Sequence, residues 1–158
     1  MRRALLVAAL VAAALAPLAG SPHRAPQLDV TRLAEQIEAE RDHVTAVELA
    51  QWIRARRTGL RVLDLRTRAE FDRSHVPSSV HMPLPQLVAQ EFPRGDTLVL
   101  VSEAGGHAAQ GWVLMQARGY TNVYFLRGGL QEWEEDVLRA PEQKELSRYF
   151  GGDRRDGC

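Results

Sequence analysis

One segment constrains the fold more than any other: Thr97 followed by Leu98-Val99-Leu100-Val101, with no charged or strongly polar side chain inside it. A strand facing water on one side alternates apolar and polar residues, and this one does not. Both of its faces must be covered. That condition is met in parallel sheets sandwiched between helix layers, where each strand returns to the same end of the sheet through a helix.

The flanking sequence supplies the helices and further strands. Thr45 with Glu48 reads as a capping box opening a helix through Leu49, Trp52 and Ile53 that stops at Gly59. Residues 60–65 form a strand, and Thr67 with Glu70 opens a short helix. Val80-His81-Met82 is a brief strand before Pro83, and residues 84–92 read as a helix closed by Pro93. A helix over residues 108–118 is apolar nearly all round and ends at Gly119; a buried strand over 122–126 follows, and Gly128-Gly129 leads into a helix around Trp133. Trp112 and Trp133 are placed in the core, and Trp52 with them. Strand and helix alternating at this spacing predict an α/β fold, with chemistry in the loops after the carboxyl ends of strands. Those loops follow Leu65 and Val101.

The ends read differently. Met1-Arg2-Arg3 precedes an uncharged, alanine-rich run over residues 4–19 and then Gly20-Ser21-Pro22, the layout of a secretory signal peptide over residues 1–20. Cleavage after Ala16, Ala19 or Gly20 fits equally. The run is short for a membrane span, so no stable membrane anchor is expected. The protein is read as exported, to the periplasm or outside the cell. Residues 21–42 read as a linker and an amphipathic helix with Leu33 and Ile37 on one face, residues 43–137 as the domain, and residues 138–158 as a charged, mobile tail. Twenty basic residues balance twenty acidic ones, which gives no electrostatic argument for a nucleic acid partner. A single cysteine excludes an internal disulfide and a multi-cysteine metal site, and the five histidines show no paired metal spacing. No cofactor or metal is expected.

Three segments together resemble the rhodanese-like domain family. Asp64-Leu65-Arg66, Glu70-Phe71, His75-Val76-Pro77 and His81-Met82-Pro83 are similar to two of its motifs in succession. The strand at 97–101 with the loop Ser102-Glu103-Ala104-Gly105-Gly106-His107 is similar to its active-site loop. Gly119-Tyr120, Asn122-Val123-Tyr124, Leu126, Gly128-Gly129 and Trp133 match its closing segment. The resemblance spans residues 43 to about 137. It implies a five-stranded parallel sheet flanked by helices and, in active members, sulfur carried as a persulfide on a cysteine.

At that cysteine position this chain has Ser102, with Gly105 at the family's glycine and His107 at its arginine. An alcohol cannot form the sulfur–sulfur bond and is far less acidic than a thiol. Glu103 adds a negative charge where the family often has cations, opposing an anionic donor unless the carboxylate turns away. The resemblance therefore implies no catalytic residue in the loop, and a rhodanese-like binding or regulatory module for a small anion or a protein segment. Asp64 and Arg66 are read as pocket supports, Arg66 paired with a carboxylate, and His75 and His81 as satisfied structural groups. A hydrolase using Ser102 with His107 lacks the G-x-S-x-G elbow. The alternative is a sulfurtransferase or thiol redox protein working through Cys158, with Arg154 and Arg155 lowering its pKa. A plainer role for Cys158 is a disulfide-linked dimer.

Overall fold

The computed structural model describes residues 28–139 and 144–151. The signal-peptide reading, its cleavage sites and Cys158 with Arg154 and Arg155 lie outside these residues. The elements in chain order are α1 (Val30–Glu38), β1 (His43–Val44), α2 (Ala46–Arg54), β2 (Leu60–Asp64), α3 (Arg68–Arg73) and β3 (Val80–His81). There follow α4 (Leu84–Ala89), β4 (Thr97–Val101), α5 (Gly106–Ala117), β5 (Val123–Leu126), α6 (Gly129–Trp133), a π-helical turn (Glu134–Arg139) and α7 (Lys144–Phe150).

The five strands form one parallel sheet in the order β1-β5-β4-β2-β3. All five residues of β4, at its centre, are buried. The alternation of strand side chains splits the core in two. Leu98 and Leu100 join Leu63, Trp112, Met115 and Leu87 under α1, α4 and α5, whereas Val99 and Val101 join Val62, Leu49, Leu130, Trp133 and Leu146 under α2, α6 and α7. This is why β4 is apolar at every position. Trp112 and Trp133 are core residues, each 1% exposed, and the Trp112 indole N–H is satisfied by the Val123 carbonyl at 3.0 Å.

Both capping boxes form. In α2 and α3 the threonine hydroxyl accepts from the N3 backbone N–H, and the N3 glutamate accepts from the threonine backbone. Four expectations need correction. The α2 helix ends at Arg54, not near Gly59, because the Arg57 N–H bonds the Trp52 carbonyl and the Arg56 N–H bonds that of Ile53. These are the two bonds of a Schellman closure, and they put Arg56 at φ 50° where a glycine is usual. The α4 helix ends at Ala89, since Pro93 disfavours helix at Phe92, which instead packs edge-on against Tyr120. Ile37 is exposed and only Leu33 of α1 reaches the core. Within the segment read as a mobile tail, α7 packs onto the domain: Leu146 is 4% exposed and the Phe150 ring meets Trp133 at 5.1 Å. Trp52 is half-buried, at the margin of the second core cluster.

Candidate functional site

The loop between β4 and α5 leaves the carboxyl end of the central strand, with the β2–α3 loop on one side and the β5–α6 loop on the other. Ser102 is 3% exposed, and its Oγ accepts the Ala108 N–H at 3.2 Å. Ala108 is the third residue of α5, so the chain folds back far enough for Ser102 to satisfy a helix N-terminal donor from outside the helix. Gly105 makes that reversal at φ 85°. Glu103, Ala104, Gly106 and His107 are exposed and Gly105 is buried. No hydrogen bond joins Ser102 to His107 among the described residues.

The loop is held from behind by α6. The Leu130 N–H bonds the Ser102 carbonyl at 2.9 Å and the Gln131 N–H bonds that of Glu103 at 3.2 Å. This approach needs Gly129: at φ 61°, a Cβ there would overlap the carbonyl oxygens of both Ser102 and Glu103. In the sequence, Gly128-Gly129 points to a turn into a helix. That the helix supports the candidate loop is a contact between distant segments, and the glycine pair is its one local trace.

Arg66 occupies the other wall, with a side chain only 5% exposed. Its Nε and Nη2 donate to the fully buried carboxylate of Asp64 at 2.8–3.2 Å. Nη2 also donates to the Ser74 carbonyl at 2.6 Å, and Nη1 to Glu103 Oε2 at 3.0 Å. Burial by itself would lower the Arg66 pKa; the hydrogen bonds and charges of Asp64 and then Glu103 outweigh it and raise the pKa further. The guanidinium is therefore a permanent charge already divided between two carboxylates. His81 Nε2 lies 2.9 Å from the Arg66 carbonyl, and His75 Nδ1 lies 2.9 Å from that of Phe71, whose ring stacks on His75 at 4.2 Å. Both histidines are satisfied within the scaffold.

The structure thus brings together Asp64, Arg66, Ser102 and Glu103, with His107 at the exposed rim. The Glu103 carboxylate turns toward Arg66, not away from the loop. Among the described residues no cluster of side chains could hold a metal ion.

A family model for the rhodanese-like domain matches residues 45–136, more than half of the chain. The chain belongs to the rhodanese-like domain family. It is 26% identical over 76 residues to a putative sulfur carrier protein of Bacillus subtilis, covering 47% of this chain and 41% of that protein. It is 31% identical over 111 residues to the mitochondrial protein HIGH ARSENIC CONTENT 1 of Arabidopsis thaliana, covering 59% of this chain and 65% of that one. This rhodanese-like chain therefore spans less than two thirds of the length of either curated relative. Its fold is shared with a human single-domain sulfurtransferase at a TM-score of 0.52 and 24% identity, over 60% of this chain and 96% of the other. One of these relatives is named a putative sulfur carrier, and the five-stranded parallel sheet implied by the resemblance is the one observed.

Proposed function

We propose that this rhodanese-like domain is an exported binding or regulatory module without sulfurtransferase activity, its loop offering a docking point for a small anion or a carboxylate-bearing protein segment. The observation carrying the reading is the pairing of Ser102 with Glu103. The Ser102 side chain occupies the buried position facing the α5 N-terminus, and the adjacent carboxylate rests 3.0 Å from Arg66. A thiol at residue 102 would receive the same Ala108 N–H and the positive end of α5, both of which favour a thiolate. A hydroxyl gains no comparable reactivity and cannot carry sulfane sulfur. The Glu103 carboxylate, on a side chain 54% exposed, stands where an incoming anion would meet Arg66. An external carboxylate or oxyanion binds by displacing it.

The test is the intact mass of the full protein before and after thiosulfate, with Ser102→Cys and Cys158→Ser alongside. No mass change in the parent protein supports a non-catalytic module, and a gain of one sulfur in Ser102→Cys supports Ser102 as the vacated nucleophile position. Gain of one sulfur by the parent, abolished in Cys158→Ser, overturns the proposal in favour of a persulfide carrier using Cys158. The untreated mass also tests export, because removal of residues 1–20 changes it directly.

A further inference from the structure

In a parallel sheet the ends of the strands are segregated, and the end opposite Ser102 carries an opening of its own. Between the closing turn of α2, the start of β2 and the last turn of α7 lies a cleft of about 720 Å³, within the range of small-ligand sites. Its walls are mainly apolar, with Trp52, Ile53, Leu60, Pro77 and Phe150 beside Ser78, and Tyr149 half-exposed at the rim. Two arginines, Arg56 and Arg57, line the same cleft.

Neither arginine has a carboxylate partner among the described residues. The Arg57 guanidinium carbon lies over the Trp52 ring, 4.1 Å from its centroid, a cation–π contact that leaves the N–H donors for another group. On the same elements Arg54 pairs with Glu145 at 3.4 Å. Arg56 stands at the left-handed position of the α2 closure, where glycine would be less strained. An arginine kept there places a cation at the cleft at a cost to the backbone.

We infer that this cleft is a binding site for an organic carboxylate with a flat apolar body, the carboxylate meeting Arg56 and Arg57 and the body lying against Trp52 and Phe150. A planar, bidentate acceptor is what paired guanidinium groups match best, and the apolar walls exclude a bare inorganic anion as the preferred occupant. The site is independent of the Ser102 loop and does not rest on the function proposed for it.

The probe is 2-naphthoate, titrated into the full chain with the Trp52 indole N–H followed by NMR, and 2-naphthamide as the uncharged control. Expected is a saturable shift of Trp52 with a dissociation constant of about 1 mM or below, and the amide weaker by about tenfold. Arg57→Gln and Arg56→Gly should each weaken naphthoate about fivefold or more. Arg56→Gly relieves the left-handed strain, so its melting temperature stays equal or rises and misfolding cannot explain the loss. The inference is overturned by the absence of a saturable Trp52 shift up to about 10 mM, by equal binding of the amide, by variants that bind like the parent, or by shifts centred on residues 102–107.

Discussion

At the carboxyl end of the strands Arg66 is enclosed by two carboxylates and a carbonyl, whereas at the amino end Arg56 and Arg57 line an open cleft in which neither pairs with a carboxylate among the described residues. The polarity of the fold accounts for the difference. Every helix that follows a parallel strand begins at the carboxyl end, so that end collects positive helix termini. Here they are met by Glu48, Glu70 and the Ser102 hydroxyl, and a buried guanidinium among them needs carboxylates of its own. The amino end collects helix carboxyl termini, which favour cations without help from acidic side chains. An arginine can wait there unpaired, and its charge remains for a ligand.

The largest expected effect tests the closed end. Arg66→Ala strips the partner from the fully buried Asp64 carboxylate and should cost about 3–5 kcal/mol in urea denaturation. A loss below about 1 kcal/mol would mean that Asp64 is not held by this pair. Next, Gly129→Ala drives a methyl group into the carbonyls of Ser102 and Glu103 at a left-handed position, and should cost at least about 1–2 kcal/mol. The Thr45 cap is smaller: Thr45→Ala should cost about 1 kcal/mol by thermal melting.

The caps also carry a pH signature. The Thr45 backbone N–H, then its hydroxyl, hold the Glu48 carboxyl below its ordinary range; the Thr67 hydroxyl, then its backbone, do the same for Glu70. Because both values are lowered on folding, each cap contributes fully above the unfolded glutamate value of about 4.3 and loses its contribution as pH falls from there through the folded value. The melting-temperature gap between parent and Glu48→Gln should therefore narrow from about pH 7 to about pH 3. A constant gap would assign the effect to packing.

The opposite end should answer Gly129→Ala with the reverse sign: Arg56→Gly should gain up to about 1 kcal/mol by removing left-handed strain, measured in the same denaturant series. The smallest stability effect belongs to Glu103→Gln, below about 1 kcal/mol, since that carboxylate is 54% exposed and its ion pair is screened. Its consequence should lie in binding. Sulfate titrations followed by NMR should show higher affinity at residues 102–107 in Glu103→Gln than in the parent, and equal affinity would sever Glu103 from Arg66 as a functional pair.

What was legible in the sequence was what repeats or punctuates locally. The unbroken apolar run of β4 marked a central strand, and the two threonine–glutamate spacings marked α2 and α3. The β1 strand escaped because two residues, His43 and Val44, set up no periodicity; its identity comes from pairing with Phe125 and Leu126. The α7 helix was hidden by its charge, since Leu146 and Phe150 are its contacts with the core and neither makes a pattern alone. At the site, the motifs placed Arg66 and the Ser102 loop after the carboxyl ends of β2 and β4, and Arg66 was expected to pair with a carboxylate, without the sequence saying which. The Glu103 contact spans 37 residues and the support from Gly129 crosses loops, so both depend on how the sheet closes. The cleft beneath Trp52 likewise exists only once α7 is docked.

The pairing order of the strands has a consequence during synthesis. As the chain emerges, β4 can pair with β2 at once, but its other neighbour, β5, lies more than twenty residues further on. Until β5 arrives, one edge of an apolar, uncharged five-residue strand stands open, the kind of surface that recruits strands from neighbouring chains. Any pause in translation between residues 101 and 123, or passage through a narrow pore that delays the later segment, lengthens this interval. The domain is thus most prone to aggregate when about two thirds complete, and a chaperone that shields the β4 edge in that window should raise its yield more than one acting on the finished chain.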